Sequence, residues 1–495
     1  MALTMPVYAQ DSLRTMFLNN QSSICGINIR NFNSNDVNKN GFIDENEESG
    51  NFLNAIERLD EIKNLGINTL HVLPITPVGK IKALGTAGSL YAISDFNSIN
   101  EQLVDKKSNL TGFEQAKLFV DECHKRGIKV IIDLPSCGAY DLFLEKPELF
   151  IKDDKQLSVV PTDWTDVRLL NTGDNTKLNN DLVEVHKKFV DMVMELGADG
   201  IRADVATIKP YKFWEEIITY SREKNPEFLY LAEASDSWRE PPSEYAQFTP
   251  YNKLLESGFD GYYGSFFNLK DWKTADEFIE HIKFNKKLLS SYNSPKSVMM
   301  SFTTHDELSP VVLYGEDFSV MICWLEAVLP FNPYIIDGFQ TGDDYIYPLA
   351  NSKAPSTQTD DDYYFVHRGK LDIFNFSAKP QGNSKLIADN FKQAMNFRSE
   401  NIDLITKGEF TPLKTDNENV FAYAINKGKN TLIVLGNLDK KENAKKVHIK
   451  VFGLNKKITF NIVKSNSGIK FKKGKIVSDF EPCEIKVLLT DNFSI

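Results

Sequence analysis

No run of about 18 apolar residues occurs in the 495-residue sequence, which argues against an integral membrane span. Clustered lysine and arginine are also missing. With 57 basic and 68 acidic residues the formal net charge is −11, and a nucleic-acid partner, whose phosphates need grouped cations, is disfavoured. The five cysteines (Cys25, Cys123, Cys137, Cys323 and Cys483) are odd in number, far apart and without metal-ligand spacing. A disulfide framework and a zinc site are both disfavoured, leaving free thiols. No internal repeat or low-complexity tract is visible. The first residues lack a charged n-region and a full apolar core, yet Val7-Tyr8-Ala9 carries the small residues of a signal-peptidase site. Two readings stand side by side: the tail of an export signal, placing the protein in the periplasm or outside the cell, or an irregular N-terminus of a cytoplasmic protein.

What is present is a composition 42% apolar and 25% charged, that of a globular chain. Its length suits a barrel of roughly 250 residues or more with insertions, joined to a small second domain. From about residue 22 apolar strand-like runs alternate with amphipathic helical ones, the pattern of βα units and a parallel sheet. Strands are expected at Ile24 to Ile29, Asn68 to Leu73, Lys129 to Leu134, Gly200 to Asp204, Phe228 to Glu233 and Ser297 to Thr303. Weaker candidates at Phe259 to Phe267 and Asn332 to Asp337 complete a set of eight. Helices are expected at Phe52 to Leu65, Gly112 to Arg126, Asp181 to Leu196, Tyr211 to Arg222 and Ser384 to Arg398. The expected fold is a (β/α)8 TIM barrel over residues 21–400, with 139–176 inserted after strand three, then an all-β sandwich over 401–495. Residues 1–20 form a separate N-terminal segment.

In such a barrel the C-terminal ends of the strands face the active site. Four of these ends carry carboxylates: Asp133 in VIIDLP, Asp204 in GIRADV, Glu233 in YLAEAS and Asp306 in FTTHDE. Any one alone also reads as the cap of the following helix. As a set they strain that reading.

GADGIRADVA resembles the strand-four motif of the α-amylase superfamily, YLAEAS its strand-five glutamate motif and TTHDE its strand-seven His-Asp. Order, spacing, the insertion and the C-terminal β domain extend the resemblance over about residues 20 to 490. It implies Asp204 as nucleophile, Glu233 as acid/base and Asp306 as third carboxylate of a retaining glycosidase, which needs two carboxyls roughly 5 Å apart. Arg202, two residues before Asp204 and on the same strand face, is suited to keeping that carboxyl ionised. A structural ion pair is its alternative.

The resemblance further implies that His305 bonds sugar hydroxyls and that Tyr91, in GSLYAISDF with Asp95 four residues on, stacks on the same sugar. Asp133 joins these substrate-binding candidates. His305, between Thr304 and Asp306, is poorly placed for burial. Trp164, Trp238 and Tyr263 suit stacking further out, or packing. Two departures stand out: Cys137 and Gly138 occupy the places of the family's Asn-His pair, and Thr207-Ile208 those of its Lys-His pair.

Residues 36–47 match the twelve-residue calcium loop D-x-[DN]-x-[DN]-G-x5-E at every specified position. Asp36, Asn38, Asn40, the carbonyl of Phe42, Asp44 and Glu47 are the expected ligands, with Gly41 at the turn. A solvated acidic loop is the alternative, since no helix enters it.

The resulting expectation is a calcium-binding monomer that hydrolyses α-1,4 bonds in α-glucans or maltooligosaccharides. A glucan transferase on the same fold, a catalytically silent carbohydrate-binding homologue and a calcium-responsive interaction protein remain as alternatives. The last needs paired helix-loop-helix units, and only one loop is present.

Overall fold

The computed structural model describes residues 11–495 apart from 39, 41, 162–163, 242, 348–371, 374–375 and 456. The export-signal residues of the sequence reading therefore lie outside the described residues. Serine 12 accepts a hydrogen bond from the Thr15 amide and so caps a short helix, Leu13–Leu18.

Eight strands close into a barrel: β1 (Ile24–Ile27), β2 (Thr69–Val72), β3 (Lys129–Leu134), β6 (Gly200–Ala203), β7 (Leu229–Ala232), β8 (Gly261–Tyr263), β9 (Ser297–Met300) and β10 (Asn332–Ile336). The order around the barrel is β1-β10-β9-β8-β7-β6-β3-β2. Nearly every strand residue is buried, as expected where helices cover the outer face of a parallel sheet and side chains fill the inside. Between β3 and β6 two short strands, β4 (Cys137–Ala139) and β5 (Val167–Leu169), pair antiparallel.

Two of the crossover helices begin at side-chain caps. Thr111 and Glu114 form a capping box at the start of Gly112–Lys125, and Asn179 caps Asn180–Glu195. The segment expected as one helix, Phe52 to Leu65, is instead three pieces: Phe52–Ala55, a tighter turn Ile56–Arg58, and Leu59–Asn64. The tight turn ends at Arg58, whose buried guanidinium donates to the Phe32 carbonyl at 2.6 Å and lies over the Phe32 ring. The weaker candidate stretch 259–267 is a strand only at Gly261–Tyr263. Ser265 takes a left-handed conformation with φ of 56° and turns the chain into the short helix Phe266–Lys270.

The chain divides into two compact units: residues 11–263 with 305–307 and the described part of 346–380, and residues 264–304 with 308–345 and 381–495. In the second unit, two antiparallel sheets make the C-terminal β structure. The larger contains β11 (Glu409–Pro412), β12 (Val420–Lys427), β13 (Asn430–Asn437), β18 (Ile485–Thr490) and β15 (Asn461–Lys464) in that order. The smaller is β14 (Ala444–Lys450), β17 (Lys475–Phe480) and β16 (Ile469–Lys472). Alternate residues Val420, Ala422 and Ala424 of β12 and Ile433 and Leu435 of β13 share one core with Val447, Ile449 and Ile476 of the smaller sheet. A period of two thus turns one apolar face of the larger sheet toward the smaller one, while Phe421, Tyr423, Leu432 and Val434, on its other face, are buried as well.

All five cysteines are buried, and no two of them are joined in a disulfide. Among the described residues no helix is long and apolar enough to cross a membrane.

Candidate active site

The residues of the candidate site all lie in the first compact unit. The parallel register places Asp133 opposite Arg202 and Leu134 opposite Ala203, so β3 and β6 deliver their polar ends side by side. Asp204 and Glu233 follow the last residues of β6 and β7 directly.

Arg202 is 1% exposed and organises the centre. Its Nη1 donates to both oxygens of Asp133 at 2.8 and 2.9 Å and to Asp204 Oδ1 at 3.2 Å. Nη2 lies 2.8 Å from Glu233 Oε2, and Nε donates to the Tyr263 hydroxyl at 3.2 Å. Asp133, wholly buried, also meets His71 Nε2 at 3.2 Å and accepts from the Tyr91 hydroxyl at 2.6 Å. Burial pushes its carboxyl up, but the Arg202 charge and the His71 and Tyr91 donors prevail and hold it at about 2. Asp133 is a fixed anion that anchors the arginine.

Asp204 is gripped from a second side. Ser136 donates to its Oδ2 through both the backbone N–H, at 3.0 Å, and the hydroxyl, at 2.8 Å. Lys209, itself buried, props that loop by donating Nζ to the Ser136 carbonyl at 2.9 Å, and burial pulls its ammonium down to about 8. Glu233 Oε2 accepts from the Val205 amide at 2.7 Å. Val205 holds a left-handed conformation with φ of 33°, uncommon for a β-branched side chain, and that turn presents its N–H to the glutamate.

Burial raises both Asp204 and Glu233, and Arg202 opposes this in each. Asp204 has three donors to stabilise its anion, whereas Glu233 also feels the negative charges of Asp204 and Asp306 and is pushed well above the usual carboxylate range. The pair therefore ionises at Asp204 first, leaving the proton on Glu233. Enclosure and Asp204 also raise Asp306, tempered by solvent because 37% of its side chain is exposed.

Asp204, Glu233, Asp306, Tyr91 and His305 line one cavity of about 210 Å³, together with Trp164, Trp238, Cys137, Ser89 and Asp166. Of the sequence candidates, Asp133 and Arg202 do not line it; they lie beneath its floor and act on the groups above. His305 is 1% exposed, contrary to the expectation that its position disfavours burial. Its ring stacks on Tyr91 with centroids 5.5 Å apart, and its Nε2 lies 2.8 Å from the Tyr91 hydroxyl. Because that hydroxyl donates to Asp133, its lone pair is left to accept from His305. Tyr263 is packing under Arg202 rather than a cleft wall. Asp95 caps a turn, accepting from Asn97 N and Ser98 Oγ.

Sequence reasoning missed His71, Ser136, Lys209 and Asp166. His71 had a signal, the one ionisable residue within the strand TLHV; the others acquire meaning only from partners far along the chain.

The calcium-motif residues stand apart from the cleft. Asp36, Asn38 and Asn40 each turn Oδ1 toward a loop amide, Asp44 Oδ2 accepts from both asparagine amides, and Glu47 accepts from the amides of Asn38 and Asp44. Among the described residues no group of three or more His, Cys, Asp or Glu side chains is gathered as a metal site. The loop's donor set rests on asparagine amides as well as acids. Gly41 lies outside the described residues.

No family model matches the sequence. The chain is 24% identical to "Alpha-amylase 3" of Dictyoglomus thermophilum over 482 residues, 88% of each protein. The fold is similar to that of an α-amylase from Lactobacillus plantarum, with a TM-score of 0.70 and 20% identity over 96% of this chain and 100% of that one. In sequence and in fold the chain is thus similar to α-amylases. The chain is also similar to the α-1,4-glucan:maltose-1-phosphate maltosyltransferase of Arcanobacterium haemolyticum, 24% identical over 338 residues, 65% of this chain and 45% of that protein.

The two departures from the family's motifs have a shared physical basis. Cys137 and Ile208 pack with Val159, Val167, Leu169 and Val205 in one apolar cluster, against which Trp164 and Trp238 lie. Gly138 has no room for a side chain: a Cβ there would stand 2.7 Å from the Phe150 ring. Apolar packing occupies the places of the polar pairs.

Proposed function

We propose that this protein is a retaining α-glycosidase of α-amylase type that hydrolyses α-1,4-glucosidic bonds in α-glucans or maltooligosaccharides. The observation that carries the reading is the divided electrostatics of the cleft. Asp204 is surrounded by donors that favour its anion, while Glu233 is placed to keep its proton. Asp204 attacks the anomeric carbon as the glycosidic C–O bond breaks, and Glu233 passes its proton to the leaving oxygen. Glu233, now a base, takes a proton from water, whose oxygen displaces Asp204 from the same carbon. Asp306 and His305 serve as hydroxyl-binding groups around the reacting sugar, and Tyr91 gives it a rigid aromatic wall.

A transferase differs only in admitting a sugar hydroxyl in place of water. The relatives named as maltosyltransferases favour keeping that second reading. Incubation with maltooligosaccharides separates the two. Net gain of reducing ends supports hydrolysis; redistribution of chain lengths without that gain supports transfer; no change in the substrate rejects both.

The loop from Asp36 to Glu47 is read as a stabilising calcium site, with Asp36, Asn38, Asn40, the Phe42 carbonyl, Asp44 and Glu47 as ligands. Its support is the complete motif, the hard oxygen donors and a loop already wound on its own side chains. The ion has no part in the chemical step.

A further inference from the structure

Asp166 immediately precedes β5, in the segment inserted between β3 and β6. Its residue is only 3% exposed, yet it lines the same cavity as Asp204, Glu233 and Asp306. Ser89 donates to the carboxyl, and the Ser89 hydroxyl in turn accepts from the Tyr91 amide at 3.3 Å. Oδ2 is buried without a hydrogen-bond partner. The nearby cation, Arg168, directs Nη1 to the carbonyls of Thr165 and Val167 at 2.9 and 2.6 Å and lies over the Tyr140 ring.

A buried oxygen without a donor is costly, and enclosure pushes the Asp166 carboxyl up to about 6. An alanine would leave no such group, and folding alone gives no reason for an acid here. The position has a reason if a ligand supplies the missing donor. Sugar hydroxyls are neutral donors of the right kind, and the flanking Trp164 and Trp238 provide apolar surface for the rest of the ring. We propose that Asp166 is a substrate-binding residue whose Oδ2 accepts a hydrogen bond from a hydroxyl of a neutral hexose unit in the cleft. This assignment rests on the glucan reading above.

Steady-state kinetics on a maltooligosaccharide, with melting temperatures, test it for the unsubstituted protein, Asp166→Asn and Asp166→Ala. Loss of a hydrogen bond to a charged acceptor corresponds to roughly a ten- to hundredfold change. KM should therefore rise by that order in Asp166→Ala and by less in Asp166→Asn, which keeps a carbonyl. The rate at saturation should fall less than about threefold, because the lost bond holds substrate and transition state alike. Neither variant should melt lower. An unchanged KM in both variants overturns the assignment while leaving the glucan reading intact. A joint fall in melting temperature and saturated rate at constant KM also overturns it, in favour of a structural role. Absence of turnover by the unsubstituted protein overturns both readings together.

Discussion

Asp204 and Glu233 differ in the donors each receives, and that difference assigns opposite protonation states to two carboxyls sharing one arginine. Asp204→Asn removes the nucleophile at constant volume and should abolish formation of the glycosyl-enzyme without lowering the melting temperature. Wild-type turnover by that variant would sink the mechanism. Glu233→Gln should lose far more activity on poor leaving groups than on activated aryl glycosides, which scarcely need a proton. The same assignment predicts a bell-shaped pH profile. Rate rises with pH as Asp204 ionises and falls as Glu233 loses its proton, so Glu233→Gln, assayed on an aryl glycoside, should lack the alkaline limb.

Asp166 gives a stability counterpart with a definite sign. Its folded-state carboxyl is raised from 3.8 to about 6, so the native state binds its proton more tightly than the unfolded chain does. That contribution is fully present below about pH 4 and is lost as pH rises through about 6, amounting to on the order of 3 kcal/mol. Asp166→Asn should therefore be more stable than wild type at pH 8 and not at pH 4. Denaturant unfolding at both values checks this; an equal difference at the two would refute it.

At the scale of elements, β4 and β5 form a small antiparallel ladder in which Gly138 pairs with Arg168. Phe150, 2% exposed, closes over that glycine. Gly138→Ala should push the ring off its seat and cost about 1 to 3 kcal/mol, the usual range for overpacking. A melting temperature equal to wild type would show that the ring yields freely. The same ladder shows how unevenly elements could be read from the sequence. Strands β3, β6 and β7 were legible because strand-like runs there alternate with amphipathic helical ones, a local pattern. Ser265, whose left-handed turn ends β8 early, and Arg58, whose anchor on Phe32 accompanies the broken helix, carry no local sign of those roles.

For the whole molecule the testable quantity is stability with calcium. If the Asp36–Glu47 loop binds the ion only in the folded state, a hundredfold excess over Kd adds about 2.7 kcal/mol. The protein should melt later with calcium, Glu47→Gln should shrink that shift, and initial rates at low temperature should stay near normal. A chelator that leaves the melting temperature unmoved would reject the site, and instant loss of rate at low temperature would make the ion catalytic.

The sequence by itself determined the barrel and the candidate carboxylates, because both are written locally: strand and helix periods, and residues such as Arg202 and Asp204 two apart on one strand face. Only the tertiary structure decided which candidates line the cleft and which lie beneath it. Ser136 reaches Asp204 across 68 positions and His71 reaches Asp133 across 62, and the idle oxygen of Asp166 is defined by a surrounding from several segments. Burial and charge at a point are sums over neighbours in space, and chain order does not give those neighbours.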